Sequence, residues 1–445
     1  MLAHTLPFSP DHDEAFFAAL PAVPAVFLLR GAGEPYVSKS ANLRRRLTRL
    51  LEPPREQSKR LNLRDRVREV EFTATGSDFE SQLLLYQLLR TTFPQSYAAR
   101  LRLRFAPLIK LHLENEYPRA SVTTRLGKMA FLDRELVPGA KARPLAAPNG
   151  TTEVVPSHED AGSANDASET LTLRAEDGRG RLSPHLPCNL YYGPFPSRAA
   201  AEKFASDALD FFKMRRCVDD LHPDPAFPGC IYSEMKMCLA PCFKGCGDQD
   251  YAAEVTRVQS YFDSAGESLV REFSVQREAA SANLAFEDAL AIHGRLEKLK
   301  PILGQLPEVV RRLDQLCGLI VQPCHSENSV VFFRLDSGVI YGPTTFCIQT
   351  GEHTKSQSME SRVQEVLHSF EVAKAPSKLE VMDHLALLRR WYYRSHRVGE
   401  IFLADNKGAF PMRRIVRGIG RVLRGEGSEE RVEASNRLGA TEIQH

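Results

Sequence analysis

Five cysteines fall within thirty residues of this chain: Cys217, Cys230, Cys238, Cys242 and Cys246. The first four are spaced Cys217-x12-Cys230-x7-Cys238-x3-Cys242. Thiolate sulfur is a soft ligand suited to iron–sulfur clusters or zinc, and four thiolates complete either a cubane or a tetrahedral site. Four free cysteines doing ordinary core packing would leave the same pattern. Cys246 extends the series as a bystander or an alternative ligand. Cys188, Cys317, Cys324 and Cys347 sit in apolar or loop contexts and take no assigned role. The total of nine is odd, and clustering of this kind in a reducing compartment points to ligation rather than to bridges.

The other chemistry-bearing residues are basic. Lys39 precedes NLRRRLTRLL (42–51), where Arg44, Arg45 and Arg46 stand on the outward side of leucines at helical spacing. Such a stripe contacts phosphates or is simply a solvated helix face. WYYRSHRVGEIF (391–402) mixes aromatics and arginines that can stack bases and hold phosphates, or serve as the end of a core helix. PMRRIVRGIGRVLRG (411–425) spaces Arg413, Arg417, Arg421 and Arg424 on one helical face as a possible DNA-backbone contact, although its two interior glycines weaken a helix there. The net charge is only +2, so nucleic-acid binding must come from local patches of this sort.

The elements that position these residues follow from periodicity and turn signals. AVFLLR (25–30) is a short strand, Gly31, Gly33 and Pro35 mark a turn, and Tyr36-Val37 opens a second strand. A helix over 42–51 and a third strand over 66–75 follow. Gly76-Ser77-Asp78 then caps a helix over 78–93 that Pro94 ends. Strand, turn, strand, helix, strand, helix makes a small α/β unit. Residues 119–135 look extended. Residues 137–182 are rich in small and polar types, cannot offset their ordering entropy, and are expected to be a disordered linker. Order resumes at YYGPFPS (191–197), with a serine-capped helix over 197–212, helical pattern from 249 to 300, strands over 318–347 around the turn Asp336-Ser337-Gly338, and a helix over 378–395. The tail from 426 is polar and expected to fray.

At 445 residues the chain exceeds one ordinary core and suggests two to four domains. Hydrophobic content of 43% and charged content of 26% fit a soluble protein. No apolar run reaches membrane-spanning length and the first residues lack a signal-peptide pattern, so the expectation is a cytoplasmic protein.

Three segments resemble the UvrC family, the C subunit of the bacterial UvrABC excinuclease. Ala25-Val26-Phe27, Tyr36-Val37-Ser38-Lys39 and NLRRRL resemble the GIY-YIG nuclease domain that opens those proteins, and RVREVEFTATGSDFESQLLLYQLL resembles the strand, turn and helix carrying its metal-binding glutamate. FFKMRRCVDD and PGCIYSEMKMCLAPCFKGC resemble the family's cysteine segment. REFSVQREAASANLAFEDALAIHGRLEKLK (271–300) resembles the UVR motif, a helical hairpin that docks on UvrB, with Leu284, Phe286, Glu287 and Ala289 as its partner-binding signature and Asn283 at the turn.

The resemblance implies an α+β multidomain chain with these parts: an N-terminal segment (1–22), a GIY-YIG-like domain (23–136), a disordered linker or insertion (137–186), a cysteine-rich region (187–248), a helical region (249–312) holding the UVR motif, a C-terminal α+β region with a β-hairpin (313–425), and a flexible tail (426–445). It implies a [4Fe–4S] cluster on Cys217, Cys230, Cys238 and Cys242, with zinc as the alternative, and DNA contact by Lys39, Arg44, Arg45 and Arg46. The nuclease chemistry it implies is one-metal phosphodiester hydrolysis, in which a tyrosine helps activate water, an arginine stabilises charge and a glutamate fixes the metal. Tyr36, Lys39 and Arg46 match that pattern. Phe27 stands where the first tyrosine belongs, Ser38 replaces a glycine, Leu85 takes the glutamate's place, and the family's late asparagine falls near Tyr97-Ala98-Ala99. A hydrocarbon cannot ligate a hard cation. Glu80 is no substitute, because five helical residues turn its side chain away by about 140°. The expectation is therefore a nucleotide-excision-repair protein that docks on a UvrB-type helicase and binds damaged DNA. Its nuclease site is expected to be inactive and its divalent metal doubtful; the alternative is an active excinuclease subunit cutting with a remodelled site. Residues 317–347 resemble the start of the segment that follows UVR. Too few residues remain for an RNase-H-like domain and helix-hairpin-helix motifs, which is the expectation for a short form.

Overall fold

The computed structural model describes residues 2–53, 60–127, 189–218, 221–348, 357–370 and 376–426. The linker expected over 137–186 (as far as residue 188) and the tail beyond 426 lie outside them.

The first sheet forms around a short apolar hairpin. Strands β1 (His4–Pro7), β2 (Ala25–Gly31), β3 (Tyr36–Ser40) and β4 (Val67–Ala74) run antiparallel in the order β1-β4-β2-β3. Helices α1 (Asp13–Ala19) and α2 (Leu43–Leu51) cover one face. Leu43, Leu47, Leu50 and Leu51 of α2 meet Phe16, Leu20, Phe27, Leu29, Val70 and Phe72 in one cluster. Residues 1–22 thus contribute an edge strand and a covering helix, held by the pairing of Leu6 with Val70. The opposite face takes α3 (Asp78–Thr92), followed by α4 (Tyr97–Leu101). The cap expected at Ser77 is present: its Oγ accepts from the Glu80 amide at 3.1 Å.

A second antiparallel sheet joins distant parts of the chain in the order β6-β5-β7-β8. It comprises β5 (Leu108–Leu111), β6 (Ala120–Thr123), β7 (Leu190–Gly193) and β8 (Arg311–Arg312). Helix α5 (Arg198–Leu209) follows β7. Then come the cysteine loop with its single turn α6 (Ile231–Glu234), and three helices, α7 (Asp248–Asp263), α8 (Glu267–Ala282) and α9 (Phe286–Gly304). The helical pattern expected from 249 to 300 is thus broken twice, at Ala265-Gly266 and at Asn283-Leu284; Ala265, Gly266 and Leu284 take positive φ.

The third sheet has the order β11-β10-β9-β12, from β9 (Gly318–Pro323), β10 (Ser329–Asp336), β11 (Val339–Cys347) and β12 (Glu400–Leu403). The hairpin turn lies where expected, with Ser337 and Gly338 at φ of 50° and 82°. Its strands alternate between two cores, as a period of two requires. Ile320, Val331, Phe333, Leu335, Ile401 and Leu403 join the large central cluster. Leu319, Val321, Val330, Phe332 and Phe402 join a separate one. Helix α10 (Met359–Ser369) and helix α12 (Met412–Arg424) pack on the second, and α11 (Lys378–Tyr392) on the first.

Two expectations change here. The glycines of 411–425 do not weaken the helix: a Cβ at Gly418 would collide with the Phe402 ring, so the absent side chain lets α12 approach β12. Nor does the arginine stripe of that helix face outward as a set. Arg421 forms a two-pronged pair with the buried carboxylate of Glu400 at 2.7 and 2.8 Å, and Arg424 pairs with Glu426.

The sheets are locked together through α3. Its Phe79, Leu83, Tyr86 and Leu89 belong to the central cluster with Phe333 and Trp391. The turn before it is close-packed, because a Cβ at Gly76 would strike the backbone of Pro323 and Cys324. Asp383 of α11, fully buried, accepts from Tyr97 at 2.7 Å and Tyr86 at 3.3 Å.

Candidate functional site

The cysteine loop is the densest gathering of reactive side chains. Cys217 follows the strand-like exit from α5, Cys230 starts α6, and Cys238 and Cys242 flank a tight loop in which Lys236, Ala240 and Lys244 all take positive φ. Three non-glycine residues in that region within nine positions is an unusual concentration of backbone strain. The loop is pinned by Leu239 N donating to Lys213 O at 3.0 Å and by Asp224 N donating to Cys242 O at 2.9 Å.

The four thiols interact. Burial first, offset in part by the Ala240 amide, and then the neighbouring Cys217, Cys242 and Cys230 push the Cys238 thiol up to about 11. Burial, then Cys230 and Cys217, raise Cys242 as well. Cys246 is set apart: it is raised by burial and by Asp250 and Asp248 before Cys242, and it packs against the central cluster. Two donors point at sulfur. The Ala240 amide lies 3.3 Å from Cys238 Sγ, and Arg215 Nη1 lies 3.3 Å from Cys217 Sγ. Arg215 is almost wholly buried; its Nε donates to Tyr117 O at 2.8 Å, and its amide donates to the Tyr251 hydroxyl at 3.1 Å. The Ala240 amide offsets only part of the burial that keeps Cys238 a thiol. Soft sulfur is the donor type that a thiolate-held metal group takes. Among the described residues, no three His, Cys, Asp or Glu side chains are arranged to hold a single metal ion. Arg215 stands two residues before Cys217, and the doubled arginine there was the only sequence signal for it.

The N-terminal sheet distributes its matched residues differently. Strands β2 and β3 pair Phe27 with Ser38, Leu29 with Tyr36, and Val26 with Lys39. Paired residues share a face, so Phe27, Ser38 and Tyr36 lie on the α2 side and Lys39 on the α3 side. Tyr36 receives a hydrogen bond from Arg46 Nη2 at 2.9 Å, and its ring lies 6.2 Å from that of Phe27. Phe27 is fully buried in the α2 cluster, whereas Leu85 packs against the central cluster with α3. Lys39 pairs with Asp78, which also pairs with Arg394. Burial raises the Asp78 carboxyl, but these two cations outweigh it and hold the acid below its usual range.

Glu80 has another task. Its Oε2 accepts from the Gly76 amide at 2.7 Å while its own amide donates to Ser77 Oγ, a reciprocal cap on α3. Burial, opposed by the Gly76 and Ser77 amides, raises its pKa. With a hydrocarbon at Leu85 and the Glu80 carboxylate occupied by the backbone, the residues present do not fit a divalent-metal site. The arginines of α2 also divide. Arg44 donates from Nε to Leu20 O at 2.6 Å and ties α2 to the turn before β2, whereas Arg45 is exposed.

The hairpin of α8 and α9 presents apolar side chains to solvent. Leu284, Phe286 and Leu290 are 72%, 65% and 71% exposed, and Val275 is exposed beside them. Glu287 lies in the first turn of α9, with Ala289 in the next turn, and Asn283 caps α8 as expected. The WYYRSHRVGEIF segment turns mostly inward: Trp391 is buried and donates from Nε1 to Val398 O at 2.9 Å, and Arg397 lies over the Trp391 and Tyr392 rings. Among the described residues no helix is long and apolar enough to cross a membrane.

A family model for the UvrC/Cho excinuclease middle domain matches residues 169–261, which include all four clustered cysteines. The UvrABC system protein C of Alcanivorax borkumensis is 23% identical over 416 residues, covering 89% of this chain and 58% of that protein. The protein of the same name from Methylococcus capsulatus is 25% identical over 295 residues, covering 66% of this chain and 38% of the relative. That of Rickettsia bellii is 22% identical over 315 residues, 70% of this chain and 40% of the relative. The chain thus spans roughly half the length of these relatives. No solved structure matches it.

Proposed function

We propose that the chain is a member of the UvrC family, a nucleotide-excision-repair protein that docks on a UvrB-type helicase and holds damaged DNA without cutting it at its N-terminal module. The observation that carries this reading is the fate of two positions. Phe27 and Leu85 stand where the nuclease would need a hydroxyl and a carboxylate, and each is packed into a different apolar cluster. Docking is supported by the α8–α9 hairpin, whose Leu284, Phe286 and Leu290 lie open to a partner helix. DNA contact is supported by Lys39, Arg45 and Arg46 around the sheet edge, while Arg44 serves the fold.

Cys217, Cys230, Cys238 and Cys242 would hold a [4Fe–4S] cluster, or zinc as the alternative. A cluster so placed supplies cross-linking of the loop and, if it changes oxidation state, a redox response. The protein's own share is to orient four sulfurs, hold Arg215 against Cys217 and direct the Ala240 amide at Cys238.

The alternative, an active subunit with a remodelled site, draws on the intact contact between Arg46 and Tyr36. Incubating the protein with Mg²⁺ or Mn²⁺ and UvrB-loaded damaged DNA decides between them: no incision is expected. Incision that vanishes on Arg46→Ala would establish the alternative. Phe286→Ala should weaken UvrB binding at least tenfold, and full binding by that variant removes the docking part of the reading.

A further inference from the structure

A cleft away from both the cysteine loop and the α2 side of the first sheet gathers four guanidinium groups. Helix α4 ends at Arg102, in left-handed conformation at φ 51°, and the chain passes Arg104 on its way into β5. The last turn of α11 faces them with Arg389 and Arg390, and Tyr393 follows. Together with Pro196 these residues line an open cleft of about 490 Å³ that contains no carboxylate.

The inner pair is fixed in place. Arg389 donates from Nε and Nη2 to Pro196 O at 2.9 and 2.6 Å. Arg390 donates from Nη2 to Leu101 O at 3.1 Å and Arg102 O at 2.7 Å, and from Nη1 to Gln82 Oε1 at 3.4 Å. All these anchors are neutral oxygens, so they orient the guanidinium groups without cancelling their charge. The outer pair, Arg102 and Arg104, is exposed and makes no side-chain hydrogen bond or ion pair among the described residues. Burial and then the like charges of Arg394, Arg389 and Arg104 lower the Arg390 pKa against the pull of Asp78. Such crowding of like charges is unfavourable in the free protein and is relieved by a bound anion.

The positive surface does not stop at the cleft. One helical turn beyond Arg390, Arg394 shares Asp78 with Lys39 of the first sheet. Cations spread beyond the cleft, even with Asp78 between Arg394 and Lys39, suit a polymer of phosphates better than a single small anion. We propose that this cleft binds the phosphate backbone of a nucleic-acid strand and is a second DNA contact, separate from the α2 stripe. The assignment rests on the DNA-binding reading above.

Fluorescence anisotropy of the full chain on a labelled duplex tests it. Neither outer arginine supports the fold, so Arg102→Ala with Arg104→Ala should leave the melting temperature unchanged. Affinity should fall about tenfold, and the slope of log affinity against log salt should become shallower by about 1.8, as expected for two lost phosphate contacts. Arg104→Glu alone should weaken binding in the same direction. Wild-type affinity and slope in both variants overturn the cleft but leave DNA binding by the chain intact. Failure of the unaltered protein to bind the duplex at low salt removes the DNA-binding reading itself. Calorimetry with inorganic phosphate separates polymer from free ion: saturable phosphate binding that the double variant loses, with duplex affinity unchanged, would make this a small-anion pocket and overturn the proposal.

Discussion

The cysteine loop and the N-terminal sheet both carry residues that resemble functional motifs of the UvrC family, and the fold sets them in opposite ways. In the loop the four thiols remain, interact with one another, and have Arg215 and the Ala240 amide turned toward sulfur. In the sheet the pleat sends Tyr36 and Phe27 to one face and Lys39 to the other, while Phe27 and the α3 residue Leu85 pack into separate apolar clusters. The difference teaches how each substructure can tolerate a change at such positions. The loop packs only half-buried thiols and has little apolar packing to replace them. A sheet wrapped by helices absorbs Phe27 readily, because its full burial is worth about 2 kcal/mol, and α3 takes Leu85 half-buried against the central cluster.

The largest effect should therefore come from the loop. Cys238 stands near Cys217, Cys230 and Cys242, so on the proposed four-cysteine site Cys238→Ala should abolish metal loading. Anaerobically purified protein should be brown, with absorbance near ~400 nm from sulfur-to-iron charge transfer, and the variant colourless. Cys246→Ala should keep the colour, since that thiol faces Asp248 and Asp250 instead. Colourless unaltered protein with stoichiometric zinc would replace the cluster by the other soft-ligand solution, and metal-free protein would reduce both regions to remnants.

Next in size is an acid-sensitive joint in the core, where α11 meets both α3 and the third sheet. His384 Nδ1 accepts from the Ile340 amide at 3.0 Å, and burial, then Arg90, hold its pKa down at about 4. The ordinary value is 6.5. As pH falls below 6.5 the unfolded chain takes up a proton that the folded chain refuses until about 4, so stability declines across that window by up to about 3 kcal/mol. Urea midpoints at several pH values measure the decline. His384→Gln should flatten it, and an unchanged slope would mean the imidazole titrates normally in the fold.

Local signals made much of this legible in the sequence. The helix cap at Ser77, the turn at Ser337-Gly338 and the break at Asn283 depend on residues within four positions of one another, and all three stand where their residue types place them. What sequence could not supply was contact at a distance. Pairing of β5 with β7 spans some eighty positions. Gly418 reads as a helix breaker until Phe402 is packed against it, and Arg421 reads as a DNA contact until Glu400 is found beneath it. The same limit hid the arginine cleft, whose members come from two segments nearly three hundred residues apart.

A smaller effect tests the sheet directly. Restoring the missing groups with Phe27→Tyr and Leu85→Glu should not restore cutting, because the two side chains would enter separate clusters. The new phenol at position 27, buried with no partner designed for it, should cost about 1 to 3 kcal/mol. Thermal melting measures the cost and a plasmid-nicking assay measures the activity. Mg²⁺-dependent nicking by the double variant would mean that the module is one step from an enzyme, and the contrast with the cysteine loop would collapse.

The smallest effect separates a remnant from a structural element. Tyr36→Phe removes the hydroxyl that accepts from Arg46 while keeping the ring against Phe27. If that contact is only part of the fold, stability should drop by about 0.5–1.5 kcal/mol, the usual net worth of one hydrogen bond, and DNA affinity should hold. If Arg46 instead depends on Tyr36 to face phosphate, affinity should fall several-fold with little change in melting temperature. The second result would show that the sheet positions one cation for nucleic acid as deliberately as the loop positions its sulfurs.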